Sequence, residues 1–245
     1  MKFYNPNKAP LFERLVAALV FQISKVKFIS SKLRYVGEVA DFSYFLTKNF
    51  GRIKFRIRRE DIWRDIEKCL KDEVIFIELG VASGYLTAWW LSPLRESLST
   101  RKYSYHGFDS FEGLPAKWKD LEVGAFSTAG KVPSIDNSEL RFHIGLVEDT
   151  LNVDQAKKIF SKNQTVVFFD LDLFGPSYHA YSVLKPHLKV NDIIYFDEAR
   201  DADERKLLEI HIMKDFLLIP ISASYSNVAF SIAGSRLEAE MDVIR

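Results

Sequence analysis

The chain has 245 residues, of which 47% are hydrophobic and 27% are charged. This length and composition exclude a disordered, collagen-like or small disulfide-bonded protein and allow one substantial core. The single cysteine excludes an internal disulfide and predicts a reducing compartment, so we expect a cytoplasmic protein.

Positive charge is concentrated at the start of the chain. Residues 1–60 contain 13 Lys/Arg and 4 Asp/Glu, a net charge of +9, whereas residues 61–245 contain 21 and 29, a net charge of −8. Such runs are usually solvated surface, although they also attract anionic partners. The apolar stretch 11–23 is too short to span a bilayer. We therefore predict a basic, helical extension over 1–60 that docks on the main domain or, alternatively, on a membrane surface or a partner subunit, including a second copy of the chain.

From Val74 onward, short β-branched or aromatic runs alternate with longer amphipathic runs. This alternation predicts parallel βαβ units, and hence an α/β domain over 61–245. The last two runs are separated by a short polar turn, which is typical of an antiparallel hairpin. We expect a Rossmann-like, mostly parallel seven-stranded sheet with helices on both faces, the outline of class I methyltransferases. The predicted strands are 74–79, 103–109, 141–144, 165–170, 192–197, 217–220 and 227–232, and the predicted helices are 85–98, 150–161, 176–188 and 202–216.

The first strand runs into a turn of small residues that opens a helix, Glu78-Leu79-Gly80-Val81-Ala82-Ser83-Gly84. Small residues let the backbone approach a ligand closely, and a helix start supplies unpaired N–H groups. The spacing departs from the dinucleotide fingerprint. An acid at Glu78 would repel a pyrophosphate but would suit the ammonium group of a methionine-like ligand. The alternative is an ordinary tight strand-to-helix turn.

Two further strand ends carry residues suited to a nucleoside. Asp109 ends the second strand, where an acid can accept both hydroxyls of a ribose. After the third strand, Leu146 could pack on an adenine face and Glu148 could accept from its amino group. Alternatively, Asp149 is a helix N-cap and Glu148 is a first-turn acid that complements the helix dipole.

Four carboxylates follow the next two strands: Asp170 and Asp172 after the fourth, Asp197 and Glu198 after the fifth. Adjacent strand ends bring such side chains together, and a hard divalent cation with oxygen ligands is the natural compensation for their charge. That cation would lower the pKa of a substrate hydroxyl while a neighbouring carboxylate removes its proton. Structural acids on a solvated rim are the alternative.

In combination, these runs resemble the macrocin O-methyltransferase family of metal-dependent sugar methyltransferases. The similar runs are 107–115, 124–127, 145–151, 170–174 and 197–198, so the resemblance covers about half the chain, from Glu78 to Glu198. It implies S-adenosylmethionine as cofactor and a divalent metal, which we expect to be Mg²⁺. It also implies cofactor contacts at Glu78, Gly80, Asp109 and Ser110, metal ligation by Asp170, Asp197 and Glu198, and Asp172 as general base.

The predicted cofactor site also includes Ser83, Gly84, Leu146 and Glu148. The chain departs from the family at three points. Glu198 replaces the second of two paired aspartates, Ser83 replaces a second glycine, and Gly175-Pro176 replace an acidic and hydroxyl pair.

The acceptor is predicted to be a hydroxyl of a small molecule or glycan. The alternative acceptor is a phenolic hydroxyl. The alternative function is that of a non-catalytic, nucleoside-binding module. Nucleic acid is not expected, because the domain that carries the motifs is net acidic and would repel phosphate. The irregular segment 116–133, which contains Trp118, is predicted to form a lid over the substrate or, alternatively, a disordered connection.

Overall fold

The computed structural model describes residues 11–23, 27–92, 96–160 and 163–237. They form two compact units that divide between Phe45 and Leu46, so the larger unit begins before Asp61, where the charge distribution places the boundary. The smaller unit contains helix α1 (Leu11–Ile23) and most of helix α2 (Lys27–Phe50). Among the described residues, no helix is both long and apolar enough to cross a membrane.

The larger unit is built on one seven-stranded sheet. Its strands are β1 (Glu73–Leu79), β2 (Lys102–Asp109), β3 (Leu140–Ile144), β4 (Gln164–Phe169), β5 (Ile193–Phe196), β6 (Phe216–Ala223) and β7 (Val228–Ser235). They lie in the order β3-β2-β1-β4-β5-β7-β6. Strands β1 to β5 are parallel, and β7 runs antiparallel to both β5 and β6. The predicted mostly parallel sheet with a terminal antiparallel hairpin is confirmed.

Helices connect the strands. The connecting helices are α4 (Tyr85–Trp90), α5 (Glu96–Ser99), α6 (Val147–Thr150), α7 (Val153–Ile159), α8 (Phe174–Leu184), α9 (Ala202–Leu207) and α10 (Met213–Asp215), while α3 (Arg59–Glu67) precedes β1. A π-helical turn, Leu208–Ile212, joins α9 to α10, and a 3₁₀ turn, Lys185–His187, extends α8.

The core lies on the central strands, where every residue of β4 and β5 is buried. Their Val, Ile, Phe and Tyr side chains suit parallel strands that are covered on both faces. The Phe76 ring stacks between Tyr105 and Phe168, at 5.4 and 6.3 Å between centroids. Trp90 packs on Phe76 at 5.0 Å and ties α4 to this layer. These aromatic contacts hold the central strands, and therefore their ends, in a fixed relation.

Two predicted helices are interrupted. Residues 85–98 form α4 and most of α5, with 93–95 outside the described residues, and 150–161 contain the last residue of α6 and all of α7, with 161 outside the described residues. The second break arises because Asn152 caps α7, its side chain accepting from the Gln155 backbone N–H at 2.9 Å. The predicted N-cap role of Asp149 is wrong, because Leu146 occupies the N-cap position and Asp149 lies within the first turn of α6.

Backbone hydrogen bonds continue past the last residues of the parallel strands and align their ends. The Gly80 N–H donates to the Phe108 carbonyl at 3.0 Å, and the Asp170 N–H donates to the Leu79 carbonyl at 2.9 Å. The Asp197 N–H in turn donates to the Phe169 carbonyl at 3.0 Å. The residues after β1, β4 and β5 thus stand side by side at the carboxyl edge, where open α/β sheets bind their ligands.

Candidate active site

A cavity of about 360 Å³ opens at this carboxyl edge of the sheet. One part is lined by residues that follow β1, β2 and β3, and the other by residues that follow β4 and β5. Of the residues predicted to form a site, the lining includes Gly80, Asp109, Ser110, Leu146, Glu148, Asp170, Asp172, Asp197 and Glu198. The structure therefore brings both halves of the predicted site into one cavity.

The Asp109 carboxylate holds the turn that follows β1. One oxygen accepts from the backbone N–H groups of Val81 and Ala82, at 2.7 and 2.8 Å, and the other accepts from Phe111 at 2.6 Å. A carboxylate has about four acceptor positions, so three donors leave room for one more. Asp109 thus shapes the cavity wall and still presents an acceptor to it.

The glycines of the first turn allow a close approach of two chain segments. Gly80 has a φ of +88°, and a Cβ built there would lie 1.9 Å from the Asp170 carbonyl oxygen. Gly84 has a φ of +77°, and its Cβ would lie 2.7 Å from the Pro133 side chain. Both positions combine a left-handed backbone with a lack of space, so a side chain at either one would force the turn apart.

Glu78, Ser83 and Gly84 are not part of the cavity lining. Glu78 is buried, and its carboxylate accepts from the Thr87 hydroxyl at 2.5 Å and the Tyr105 hydroxyl at 2.7 Å. Burial raises the pKa of Glu78 to about 8, despite the opposing effect of these two donors. Ser83 is exposed on the outside of the turn. Glu78 therefore lies below the cavity wall, bonded to the first turn of α4 and to β2.

Three other residues lie in the part of the cavity that is lined by residues after β1, β2 and β3. Ser110 accepts from the Glu112 backbone N–H at 3.2 Å. Leu146 is 42% exposed although it is a large apolar side chain, and Glu148 is exposed in the first turn of α6. Leu146 thus offers the cavity an uncovered apolar surface next to an exposed carboxylate.

Asp170 and Asp172 follow β4 directly. Asp172 is buried and has a φ of +61°, a left-handed conformation that few non-glycine residues adopt, although Asp and Asn adopt it more often than most. Such conformations cluster at functional sites. Burial raises the pKa of Asp172 to about 7, opposed by Lys119 and reinforced by Asp197. Burial also raises the pKa of Asp170 well above its usual range, with further contributions from Asp197 and Glu204.

Asp197 and Glu198 follow β5 and are already engaged. Asp197 accepts from the Tyr195 hydroxyl at 2.6 Å and from the Asn227 amide at 3.1 Å. Burial raises the pKa of Glu198 to about 7, and its contact with Asp201 adds to this effect. The raised pKa values of Asp170, Asp172 and Glu198 mean that burial and neighbouring negative charge disfavour their ionised forms, an effect that a bound cation would offset.

Two basic side chains that the sequence analysis did not identify enter this cluster. The Arg59 guanidinium lies 3.1 Å from Asp197, and the Lys119 ammonium lies 3.1 Å from Glu198 and also pairs with Asp201. Burial would lower the pKa of Arg59, but the charge of Asp197 raises it overall. Both residues are far in sequence from the acids, and Arg59 belongs to a basic run, so no local pattern distinguishes them.

Glu204 is a third residue that the sequence analysis missed. It is fully buried in α9, and one of its oxygens accepts from the Glu198 backbone N–H at 2.9 Å. The other oxygen is buried without a hydrogen-bond partner. Burial raises the pKa of Glu204 well above its usual range. In the sequence it lies in Asp-Ala-Asp-Glu, which is typical of an ordinary acidic helix start.

The donor set of this cluster suits a hard divalent cation. Asp170, Asp172, Asp197, Glu198 and Glu204 supply carboxylate oxygens, the ligand type that Mg²⁺ and Ca²⁺ prefer. Within the described ranges, however, no group of three or more His, Cys, Asp or Glu side chains already stands in a geometry that could hold a metal ion. The carboxylates thus match a divalent cation in ligand type and in charge, whereas their positions in the described part of the chain do not form a coordination site.

The segment that follows β2 folds back on itself. Trp118 and Leu121 exchange two backbone hydrogen bonds at 3.0 and 2.9 Å, and the Phe111 carbonyl accepts from Thr128 at 3.1 Å. Leu114, Pro115 and Phe126 of this segment line the cavity, whereas the Trp118 side chain is buried and does not line it. The segment thus folds into a wall of the cavity.

Comparison of the sequence with family models and with curated proteins gives no match. The structure is similar to that of the calicheamicin methyltransferase CalS11, with a TM-score of 0.50 at 12% identity over 94% of this chain and 98% of CalS11. The O-methyltransferase NovP gives a TM-score of 0.49 at 18% identity, over 71% of this chain and 77% of NovP. An rRNA methylase from Streptococcus thermophilus gives 0.45 at 14% identity, over 73% and 98%.

Similarity at so low an identity establishes the fold alone. The expected class I, Rossmann-like methyltransferase fold is therefore confirmed, and the reaction has to be argued from the site.

Proposed function

We propose that the chain is an S-adenosylmethionine-dependent O-methyltransferase that acts, with a divalent metal ion, on a hydroxyl of a sugar or glycoside. The observation that carries the proposal is the single cavity that joins the turn held by Asp109 to the carboxylates after β4 and β5. A methyl donor at one end and a hydroxyl acceptor at the other would meet inside it.

The cofactor end offers groups that match each part of a nucleoside. Asp109 retains acceptor capacity for one ribose hydroxyl, and Leu146 provides the apolar surface on which an adenine ring can lie. Glu148 and Ser110 add polar groups to the same wall. In this proposal Glu78 acts indirectly, because its hydrogen bonds to Thr87 and Tyr105 fix the start of α4.

Asp172 is proposed as the general base. It is buried, lines the cavity and has a left-handed φ of +61°. A carboxylate there can accept the proton of the acceptor hydroxyl while the hydroxyl oxygen attacks the methyl carbon. Bound S-adenosylmethionine would supply the methyl group by cleavage of its methyl carbon–sulfur bond, so that S-adenosylhomocysteine and the methyl ether would be the products.

Asp170, Asp197 and Glu198 are proposed as the residues that hold the divalent ion, most suitably Mg²⁺. When bound, such an ion lowers the pKa of a coordinated hydroxyl and offsets the charge of the cluster. Asn227 and Tyr195 keep Asp197 in place by hydrogen bonds, and Glu204 does the same for the backbone of Glu198. The sugar acceptor rests on the resemblance to the macrocin O-methyltransferase family.

Isothermal titration with S-adenosylhomocysteine tests the cofactor, and titration with Mg²⁺ tests the metal. A panel of sugar and phenolic acceptors then tests the reaction, with Asp172→Asn, Asp170→Ala and the exposed-site control Asp154→Asn. We expect Asp172→Asn to lower turnover about 100-fold or more while cofactor binding persists. We expect Asp170→Ala and chelation to abolish metal-dependent turnover.

Each outcome bears on a different part of the proposal. Binding of S-adenosylhomocysteine without any methyl transfer would favour a non-catalytic, nucleoside-binding module. Methyl transfer to phenols alone would show that the acceptor is a phenol and not a sugar. Full turnover in the presence of a chelator would show that the reaction needs no metal ion. Full turnover of Asp172→Asn would show that another residue is the base.

A further inference from the structure

We propose that Lys119 is an exchangeable counter-cation of the acidic cluster, which competes with the divalent ion for Glu198 and yields to it. Binding of the ion then releases the wall segment 110–139 from its anchor on the cluster. This inference rests on the proposed function for the identity of the ion site. It is tested by ion affinity and by segment order, both of which are independent of turnover.

Lys119 links the wall segment to two acids that follow β5. Its ammonium lies 3.1 Å from a Glu198 oxygen and also contacts Asp201. The same ammonium lies 3.7 Å from the centre of the Trp118 ring, where a cation–π attraction adds to the ion pairs. The backbone supports this placement, since Trp118 and Leu121 close a turn in which Lys119 has a φ of +53°.

The second cation, Arg59, differs from Lys119 in how firmly it is held. Its guanidinium lies 5.4 Å from the Trp63 ring centre and 5.1 Å from that of Tyr85, and it pairs with Asp197 at 3.1 Å. Two aromatic rings and a rigid helix thus keep Arg59 in place. Lys119 is carried by a loop and has a flexible side chain, so it is the cation that can leave.

The pair between Lys119 and Glu198 is weak enough to be displaced. The two side chains are 42% and 30% exposed, so water screens their attraction. A divalent ion brings twice the charge to the same oxygens and can be shared with Asp170 and Asp197. Because Lys119 and the ion neutralise the same carboxylate, each must weaken the binding of the other.

Release of Lys119 bears on access to the cavity. Leu114, Pro115 and Phe126 line the cavity and belong to the segment that Lys119 anchors. Loss of that anchor leaves the middle of the segment held by internal hydrogen bonds, such as that from the Leu114 N–H to the Ala125 carbonyl, while its two ends stay bonded to β2. The ion would therefore loosen the part of the cavity wall that this segment forms.

The test compares Lys119→Met with Lys117→Met. Lys117 lies in the same segment, but its partner is Glu122 within the segment, and both are well exposed. Each protein is titrated with Mn²⁺ in the presence of S-adenosylhomocysteine, and cleavage of the segment by a protease is followed with and without Mn²⁺. Mn²⁺ binding is followed by the change in tryptophan fluorescence. Repeating the titration with Trp118→Phe shows how much of that change comes from Trp118.

We expect Lys119→Met to bind Mn²⁺ about two- to fivefold more tightly than the wild type, which is what loss of a partly exposed ion pair predicts. Its segment should be cleaved rapidly even without Mn²⁺, whereas the wild-type segment should become sensitive only when Mn²⁺ is added. Lys117→Met should behave as the wild type in both respects.

Equal or weaker Mn²⁺ binding by Lys119→Met would overturn the competition, as would a wild-type segment that Mn²⁺ protects. Absence of Mn²⁺ binding in every protein would also overturn it. If S-adenosylhomocysteine still binds in that case, the methyltransferase proposal stands without its metal ion. If neither Mn²⁺ nor S-adenosylhomocysteine binds, both the methyltransferase proposal and the competition proposal are wrong.

Discussion

The Asp109 carboxylate accepts a hydrogen bond from the Ala82 backbone N–H at 2.8 Å, and so ties the end of β2 to the turn after β1. Ala82 has a φ of +48°, a conformation that this bond helps to maintain. One side chain thus sets the shape of the turn and faces the proposed ribose position.

We therefore predict that Asp109→Ala weakens S-adenosylhomocysteine binding about tenfold to 100-fold and lowers the free energy of unfolding by about 2 kcal/mol. The loss of stability follows because three backbone N–H groups lose a charged acceptor. Isothermal titration and urea unfolding measure the two effects, with the exposed Asp136→Ala as control. Undiminished binding by Asp109→Ala would exclude the ribose role.

Gly80 is predicted to be irreplaceable on steric grounds. In Gly80→Ala the new Cβ would lie 1.9 Å from the Asp170 carbonyl oxygen, in a left-handed backbone. We expect the free energy of unfolding to fall by about 3 kcal/mol or more, because β1 and the residues after β4 must move apart. Gly175→Ala is the matched control, since a Cβ in α8 at that position meets no atom within 4 Å. Similar stabilities for the two variants in urea unfolding would contradict this account.

The sequence was sufficient to predict features that depend on local pattern. The parallel strands were located because each is a short apolar run. Asp170 and Asp197 were paired because equivalent ends of parallel strands share one edge of the sheet. The interrupted helices were harder to predict, since the Asn152 cap that separates α6 from α7 lies inside a continuous amphipathic pattern.

Features that depend on distant contacts could not be predicted. Arg59 and Asp197 are 138 positions apart in the sequence, and Lys119 and Glu198 are 79 apart. No short sequence motif therefore indicates either ion pair. The position of Glu78 was also unexpected. An acid at the end of a strand can face the ligand or the core, and only the positions of Thr87 and Tyr105 decide between these.

Asp65 is predicted to hold the segment that leads into α3, and through it Arg59. Its buried carboxylate accepts two hydrogen bonds from Arg56, at 2.7 and 2.9 Å, and one from Lys54 at 2.8 Å. Burial alone would raise the pKa of Asp65, but these donors lower it well below its usual range. We expect Asp65→Ala to cost about 1–3 kcal/mol in urea unfolding, the lower part of the range reflecting the exposure of both partners.

Asp61→Ala is the control for this effect, because Asp61 pairs with Arg64 on the exposed face of the same helix. Such a surface pair contributes at most about 0.5 kcal/mol. An equal loss of stability in the two variants would show that the Asp65 network is no stronger than a surface ion pair.

Glu78 should make the stability of the fold depend on pH. Burial raises the pKa of this carboxyl from 4.5 to about 8 in the folded chain. Between these values the folded chain keeps a proton that the unfolded chain releases, so the free energy of unfolding falls as pH rises. The slope from this one group approaches about 1.4 kcal/mol per pH unit, which amounts to about 2 kcal/mol between pH 6 and 8.

Glu78→Gln cannot ionise, yet its amide oxygen can still accept from Thr87 and Tyr105. Urea unfolding at pH 6 and 8 should therefore show a smaller fall in stability for Glu78→Gln than for the wild type, by about 2 kcal/mol. Glu73→Gln, at the exposed start of the same strand, should retain the wild-type dependence because its side chain is 47% exposed. If Glu78→Gln and the wild type lose stability equally over this range, Glu78 is already ionised in the folded chain at pH 6, and its carboxylate charge is then available to a cofactor ammonium group.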